Sequence, residues 1–231
     1  MTFTDGKNVT HSIEYKSQIP LTPVLKAVWH TGMYVMAAWF LLANLRFMLR
    51  LRRSRTPYPV EGCRYPVYLA EGLPSPCLFG LLHPAIYLTP AAAESPETLR
   101  HVLAHETTHA RHGDPIWSLL RCVCLAVYWF DPLVWAAAIV SRRDCELACD
   151  EGALKRLGED ERIPYGRTLL RLIPVARKPE SPMLSATTMT AGKRELKDRV
   201  TRIAENRRTM GVALLAVVAA AALVCALTFP G

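Results

Sequence analysis

Met210 to Phe229, MGVALLAVVAAAALVCALTF, is twenty residues without a charge. Nothing else in the chain narrows the choice of fold as much. As a helix, a run of that length crosses about 30 Å of hydrocarbon. A buried helix of a soluble protein keeps a polar edge, and this run has none. A second apolar run, VLKAVWHTGMYVMAAWFLLANL, covers Val24–Leu45. Its Lys26 lies near one end, where it can snorkel, and His30 and Asn44 are tolerated inside a bundle. The first twenty residues are polar and no small-residue cleavage pattern follows, so a cleaved signal peptide is not expected. The chain is therefore expected to carry two transmembrane helices, at 24–45 and 209–229, with a smaller domain between them.

The net charge of +8 would suit a nucleic-acid binder, but its placement argues for a membrane. Five arginines sit in RFMLRLRRSR at 46–55, directly after the first run. Seven basic and three acidic residues fill KRELKDRVTRIAENRR at 193–208, directly before the second. These two stretches account for all of the excess, and the rest of the chain is about neutral. Basic residues that flank spans report topology, and both clusters assign residues 46–209 to the cytoplasm. No direct nucleic-acid contact is expected. A membrane-tethered nucleic-acid binder is the minor alternative, and it predicts salt-dependent binding lost with the 193–208 charges. The seven cysteines have no zinc-finger spacing and most lie on the cytoplasmic side, so no structural disulfide is expected.

The expected organisation follows: a polar N-terminal segment (1–23), a span (24–45), a basic juxtamembrane segment (46–56), a domain (57–180), a basic linker (181–208) and a span (209–229). Within the domain, YPVYLAEGLPSPCLFGLLHPAIYLTP at 65–90 breaks short apolar runs with Gly and Pro and predicts two or three strands. SPETLRHVLAHETTHARHG then predicts a helix, with Ser95 as N-cap, Pro96 at the first position and Gly113 as the stop. Asp131 and Pro132 open another helix, which predicts two helices over 115–157, on or partly in the membrane surface. Residues 164–192 read as a looser connector. The fold class is α+β: a mainly helical domain with a small sheet, flanked by two membrane helices.

On the 95–113 helix, His105 and His109 stand one turn apart on one face, so both imidazoles can reach one Zn²⁺. Glu106 is turned by about 100° from His105 and can reach a water on that metal without taking a ligand position. This is why the H-E-x-x-H spacing serves hydrolysis. With seven His and thirteen Glu in 231 residues, chance supplies about 0.01 such matches, which favours the metal reading over three unrelated polar residues.

The third ligand must come from elsewhere. The metzincin pattern would need glycine at 112 and histidine at 115, and here those are His112 and Pro115. ELACD at 146–150 instead resembles the second motif of thermolysin-like gluzincins. That likeness makes Glu146 the third ligand and Asp150 the acceptor of the free N–H of His105. Glu151 stands as the alternative ligand. Together HETTHARHGD, YWFDPLVW and ELACDE resemble the membrane metallopeptidases of the BlaR/MecR type, the antibiotic-sensing receptor peptidases. The likeness runs from about Pro57 to Phe229 and includes SPCLFGLLHPAIYL and GKRELKDRV.

What the resemblance implies is a zinc metalloendopeptidase of a bacterial cell membrane, multi-pass, with its peptidase domain in the cytoplasm. Its implied ligands are His105, His109 and Glu146, its general base is Glu106, and Asp150 stands behind His105. Its implied substrate is a protein or peptide, a transcriptional repressor above all, with self-cleavage within 181–208. Other implied partners are the lipid bilayer and a second copy of the chain in a homodimer. Family receptors carry further helices before the first span, and many continue into an extracellular penicillin-binding domain. This chain begins with a polar stretch and stops at Gly231, so antibiotic sensing is not assigned to it. An extended substrate is expected to pair with an edge strand drawn from Leu78 to Leu88. The oxyanion donor is not legible: Tyr165 reads better as a packing residue and His112 as a helix C-terminal cation. Two other readings stay open, a quality-control or prenyl-protein type endopeptidase and a non-catalytic zinc-binding signalling protein.

Overall fold

The structure, a computed structural model, describes residues 2–4, 10–12, 21–172, 187–188 and 193–205. A short antiparallel pair, β1 (Thr2–Thr4) and β2 (Thr10–Ser12), comes first. Helix α1, Leu21–Ser54, follows and is 34 residues long. At 1.5 Å per residue it is about 51 Å long, more than the thickness of a hydrocarbon layer. An 18-residue apolar window of mean hydropathy 1.4 within it is only 11% buried. Leu25, Val28, Val35, Leu41 and Leu42 point outward there. Toward the C-terminal end, Phe47 and Leu51 instead bury themselves against Ala70, Cys77, Ala85 and Tyr87. The segment expected to be a separate basic stretch is thus largely a continuation of the apolar helix, with arginines on its outer side. Among the described residues this is the one helix long and apolar enough to cross a membrane. The second expected span, 209–229, lies outside the described residues.

Four strands follow, β3 (Arg55–Pro57), β4 (Val67–Ala70), β5 (Cys77–Phe79) and β6 (Ala85–Leu88), and a fifth, β7 (Thr187–Thr188), joins them. The sheet order is β3-β4-β6-β5-β7, with β4 and β6 parallel and the other pairs antiparallel. Three of the strands are the ones expected between 65 and 90. β6 is buried at every position, as befits an uninterrupted AIYL run in the middle of a sheet. The turn from β5 into β6 needs glycine: Gly80 has φ +117, and a Cβ there would stand 2.5 Å from the His83 carbonyl oxygen.

Helix α2, Pro96–His112, lies on this sheet through Leu99, Val102 and Leu103, which meet Leu78, Ile86 and Leu88. Ser95 caps it by accepting from the Thr98 N–H at 3.1 Å, and Gly113, with φ +72, ends it in the left-handed region. Helix α3, Asp114–Val127, turns back along α1, where Phe40, Cys122, Leu125 and Ala126 form a cluster. Helix α4, Pro132–Leu157, starts at the Asp131 cap, whose carboxylate accepts from the Leu133 N–H at 2.8 Å. The outer faces of α3 and early α4 keep Ile116, Trp117, Leu120, Val123, Leu133 and Ile139 exposed.

Residues 162–172 depart from the expected loose connector. They form helix α5, Arg162–Leu172, with Tyr165, Thr168, Leu169 and Leu172 buried. Pro164 sits in the first turn, where a missing N–H breaks no helical bond. Gly166 faces α6, where an added Cβ would stand 3.7 Å from Ile203 Cγ2, an ordinary packing distance. Residues 173–186 are outside the described residues. Helix α6, Lys193–Glu205, lies within the stretch read as a basic linker. Its Leu196 and Ile203 pack with Ala153, Leu154, Tyr165 and Leu169, so it closes over α4 and α5.

Candidate metal centre

Helix α2 carries His105, Glu106 and His109, each 0–1% exposed. Helix α4 crosses α2 closely enough that a Cβ on Gly152 would stand 2.6 Å from Thr108 Cγ2. That close crossing sets Glu146 and Asp150 of α4 opposite the two imidazoles. His105 Nε2 and His109 Nε2 face each other at 3.0 Å. Glu146 Oε2 lies 3.6 Å from His105 Nε2, and Oε1 lies 3.8 Å from His109 Nε2. Ligands held tetrahedrally at about 2.1 Å from Zn²⁺ are about 3.4 Å from one another, so the three separations bracket what one such ion requires. All three residues are buried, and their donor atoms converge within 4.8 Å.

The outer nitrogens explain why the inner ones converge. His105 Nδ1 meets the Tyr165 hydroxyl at 2.8 Å and Asp150 Oδ1 at 3.2 Å. His109 Nδ1 meets Asp114 Oδ2 at 2.6 Å. Each ring has a carboxylate behind it, which fixes the tautomer that leaves Nε2 as a lone pair for a cation. The Tyr165 hydroxyl also donates to Asp150 Oδ1 at 2.8 Å. It therefore stands on the outer side of His105, away from the converging Nε2 atoms, and is badly placed as an oxyanion donor. Cys149 lies behind His109, its thiol 3.1 Å from both His109 Nδ1 and Asp114 Oδ2. Burial and the adjacent carboxylates push that thiol far up, so it is a neutral packing group.

Charge is balanced by a residue from α6. Arg199 is 1% exposed. Its Nε and Nη2 reach Asp150 Oδ2 and Oδ1 at 2.7 Å each, and Nη1 lies 2.9 Å from Glu146 Oε2. The angle at Nη1 is too poor for a hydrogen bond, so that last contact is an ion pair only. Burial would raise the Glu146 carboxyl, but Arg199 and the two histidines outweigh it and hold Glu146 at about 2. Asp150 is held far below its usual range in the same way, by Arg199 and His105 against burial. Burial would lower His105, but Asp150 and Glu146 outweigh it and raise the imidazole to about 9. An arriving cation must therefore displace a proton there.

Glu106 stands apart from this network. Both its carboxylate oxygens are buried with no hydrogen-bond partner of regular geometry among the described residues. The Leu78 backbone N–H of β5 approaches it and pulls its pKa down slightly. Burial raises its pKa, the two imidazoles pull the other way, and burial prevails. An uncompensated buried carboxylate is costly, and a cation with its solvent between the imidazoles would compensate it. The donor set and this orphaned acid together fit a divalent metal.

Residues 3–203 match the BlaR1 peptidase M56 family. The chain belongs to that family. The match runs through α6, so Arg199 lies inside it. Regulatory protein BlaR1 of Bacillus licheniformis is 27% identical over 207 residues, which is 83% of this chain and 34% of that protein. The methicillin resistance mecR1 proteins of Staphylococcus aureus and Staphylococcus epidermidis are each 29% identical over 104 residues, 44% of this chain and 18% of theirs. The chain thus spans about a third or less of the curated relatives it matches.

The structure brings together all five residues singled out in the sequence: His105, Glu106, His109, Glu146 and Asp150. Glu151, the alternative ligand, is turned to Lys155 at 3.0 Å and does not reach the cluster. Asp114 and Arg199 were missed, and Tyr165, read as a packing residue, also ties His105 to Asp150 through its hydroxyl. Asp114 had a signal, a carboxylate placed directly after the helix-ending Gly113. Arg199 had one too: it falls in the stripe Leu196, Arg199, Ile203 that α6 turns inward.

Proposed function

We propose that this chain is a zinc metalloendopeptidase of a bacterial cell membrane, with its active site on the cytoplasmic side. The observation that carries the reading is the convergence of His105 Nε2, His109 Nε2 and the Glu146 carboxylate beside a buried, uncompensated Glu106. His105, His109 and Glu146 would hold the ion, with Asp150 and Asp114 fixing the imidazoles. When bound, zinc supplies Lewis acidity toward a carbonyl oxygen and brings the pKa of water near neutrality. Glu106 takes a proton from the attacking water and returns one to the leaving amine, a role its buried position suits. A closed structural site has no use for such a group, which favours an enzyme over a zinc-binding scaffold.

An extended substrate would lie against β5. The Leu78 backbone of that strand approaches Glu106, and its outer edge accepts an antiparallel partner: Leu78 pairs Thr187 and Cys77 pairs Thr188. Because β7 belongs to the stretch 181–208, this pairing supports self-cleavage within it. The relatives named for regulation and methicillin resistance support a regulatory substrate, a transcriptional repressor in our reading. The inward-facing basic stretches and α1 support the membrane orientation, with 209–229 as a second span.

The test is the full chain in detergent, wild type beside Glu106→Gln. Metal content is read by elemental analysis, and casein cleavage and self-fragments by intact mass. One zinc per chain in both, with cleavage in the wild type alone, is the expected result. A wild type without zinc, or equal cleavage by both, would sink the proposal.

A further inference from the structure

We infer that Arg199 is the positioning residue of the metal centre, brought in by α6 so that the Glu146 carboxylate is set for its ion only while that helix is docked. This rests on the metal reading above. A guanidinium that is 1% exposed must be paired, and its partners are two α4 carboxylates one turn apart. Its fork takes both oxygens of Asp150 at 2.7 Å, a geometry that holds the guanidinium plane fixed. From that plane Nη1 forms the 2.9 Å ion pair with Glu146 Oε2, an attraction that favours the carboxylate orientation in which Oε1 is turned to His109. Through Asp150 the same arginine supports His105, at 3.2 Å, and the Tyr165 hydroxyl, at 2.8 Å. One α6 side chain thus bears on two of the three ligands.

What holds Arg199 there is the docking of α6 itself. Leu196 and Ile203 pack into the α4–α5 cluster, and Arg142–Glu195 and Arg143–Asp198 tie the helix to α4 at 3.3 and 2.6 Å. In the sequence, four residues separate the end of α6 from the uncharged run that begins at Met210.

The experiment is Co²⁺ titration of the full chain in detergent, read by affinity and by the visible absorption bands that report the ligand set. Arg199→Ala is expected to weaken binding by about 10–100-fold and to shift the bands. Arg199→Lys, which keeps the charge but not the fork, is expected to fall between. Leu196→Asp, which loosens α6 without touching the site, is expected to lose affinity as Arg199→Ala does, and the double variant to lose no more. If the wild type binds no Co²⁺, the metal reading itself fails. If the wild type binds and all three variants match its affinity and bands, the metal reading stands and this inference is overturned. Should Arg199→Ala fail to fold, as judged by metal-free melting, Arg199→Lys decides in the same way.

Discussion

At the scale of single residues, Glu106 is where a peptidase and a merely metal-binding protein part. Glutamine has the same shape and no base, so Glu106→Gln should keep its metal and lose about 10²–10⁴-fold of hydrolysis, measured on a quenched peptide. Tyr165 makes a different prediction. Its hydroxyl ties Asp150 to His105, and Tyr165→Phe removes a bond to an ionised acceptor while leaving the ring packed. The expected loss is about 1.5–3 kcal/mol of stability, seen as a lower melting temperature, with hydrolysis reduced less than in Glu106→Gln. Glu146 and Asp150 add a pH dependence. Both carboxyls are held below their ordinary values, Glu146 at about 2, so the stability they contribute is complete above about 4.5. It is lost as pH falls toward 2. Melting of the metal-stripped protein should therefore be insensitive to their titration above that range and drop steeply below it. A melting temperature flat down to pH 2 would show that these carboxylates are not held by Arg199 and His105.

At the scale of elements, the site depends on how closely α2 and α4 cross. Gly152 is the contact: a methyl group there meets Thr108 Cγ2 at 2.6 Å. Thr108 cannot easily turn away, because its hydroxyl donates to the Ala104 carbonyl at 2.7 Å. Gly152→Ala should therefore push α4 outward and cost about 1–3 kcal/mol, read from thermal or denaturant unfolding. Zinc affinity should fall with it, since Glu146 and Asp150 ride on the same helix; an unchanged affinity would mean that the crossing does not set the ligands. The two helices that meet here were also the two most legible in the chain. Their signals are local: Ser95 and Gly113 bracket α2, Asp131 and Pro132 open α4, and a spacing of four places His105 over His109 and Glu146 over Asp150. α5 was hidden because Pro164 and Gly166 are breakers in most settings, and here one sits in the first turn and the other at a helix contact. Arg199 was hidden for a related reason. The stripe Leu196, Arg199, Ile203 marks the inward face of α6, but in a stretch with seven basic residues it does not reveal which carboxylates Arg199 pairs. Its partner Asp150 lies 49 residues away, beyond the reach of any periodicity.

At the scale of the whole molecule, α1 joins two environments that the sequence had separated. Its apolar stretch is exposed along most of its length, whereas Phe47 and Leu51 are part of the domain core. With α1 in the bilayer as proposed, a rigid connection of that kind would fix the height of the candidate metal centre relative to it. Trp29 and Trp129 strengthen it: the Trp29 indole donates to the Val127 carbonyl at 2.9 Å, and Trp129 lies over Gly32. The exposed apolar residues of α3 and early α4 lie on elements held beside α1 in this way, which is the arrangement expected if they rest in the membrane surface. The proposed sidedness rests on the arginines at the end of α1, which the topology rule assigns to the cytoplasm. The turn before β4 offers the measurement, because Glu61 is exposed and lies on the domain side of those arginines. A cysteine at Glu61→Cys should resist a membrane-impermeant maleimide in intact cells and react once they are permeabilised. Equal labelling in both would place the domain outside. That result would leave the convergence of His105, His109 and Glu146 untouched and remove only the cytoplasmic substrate, because the geometry of the site and its orientation rest on separate physical arguments.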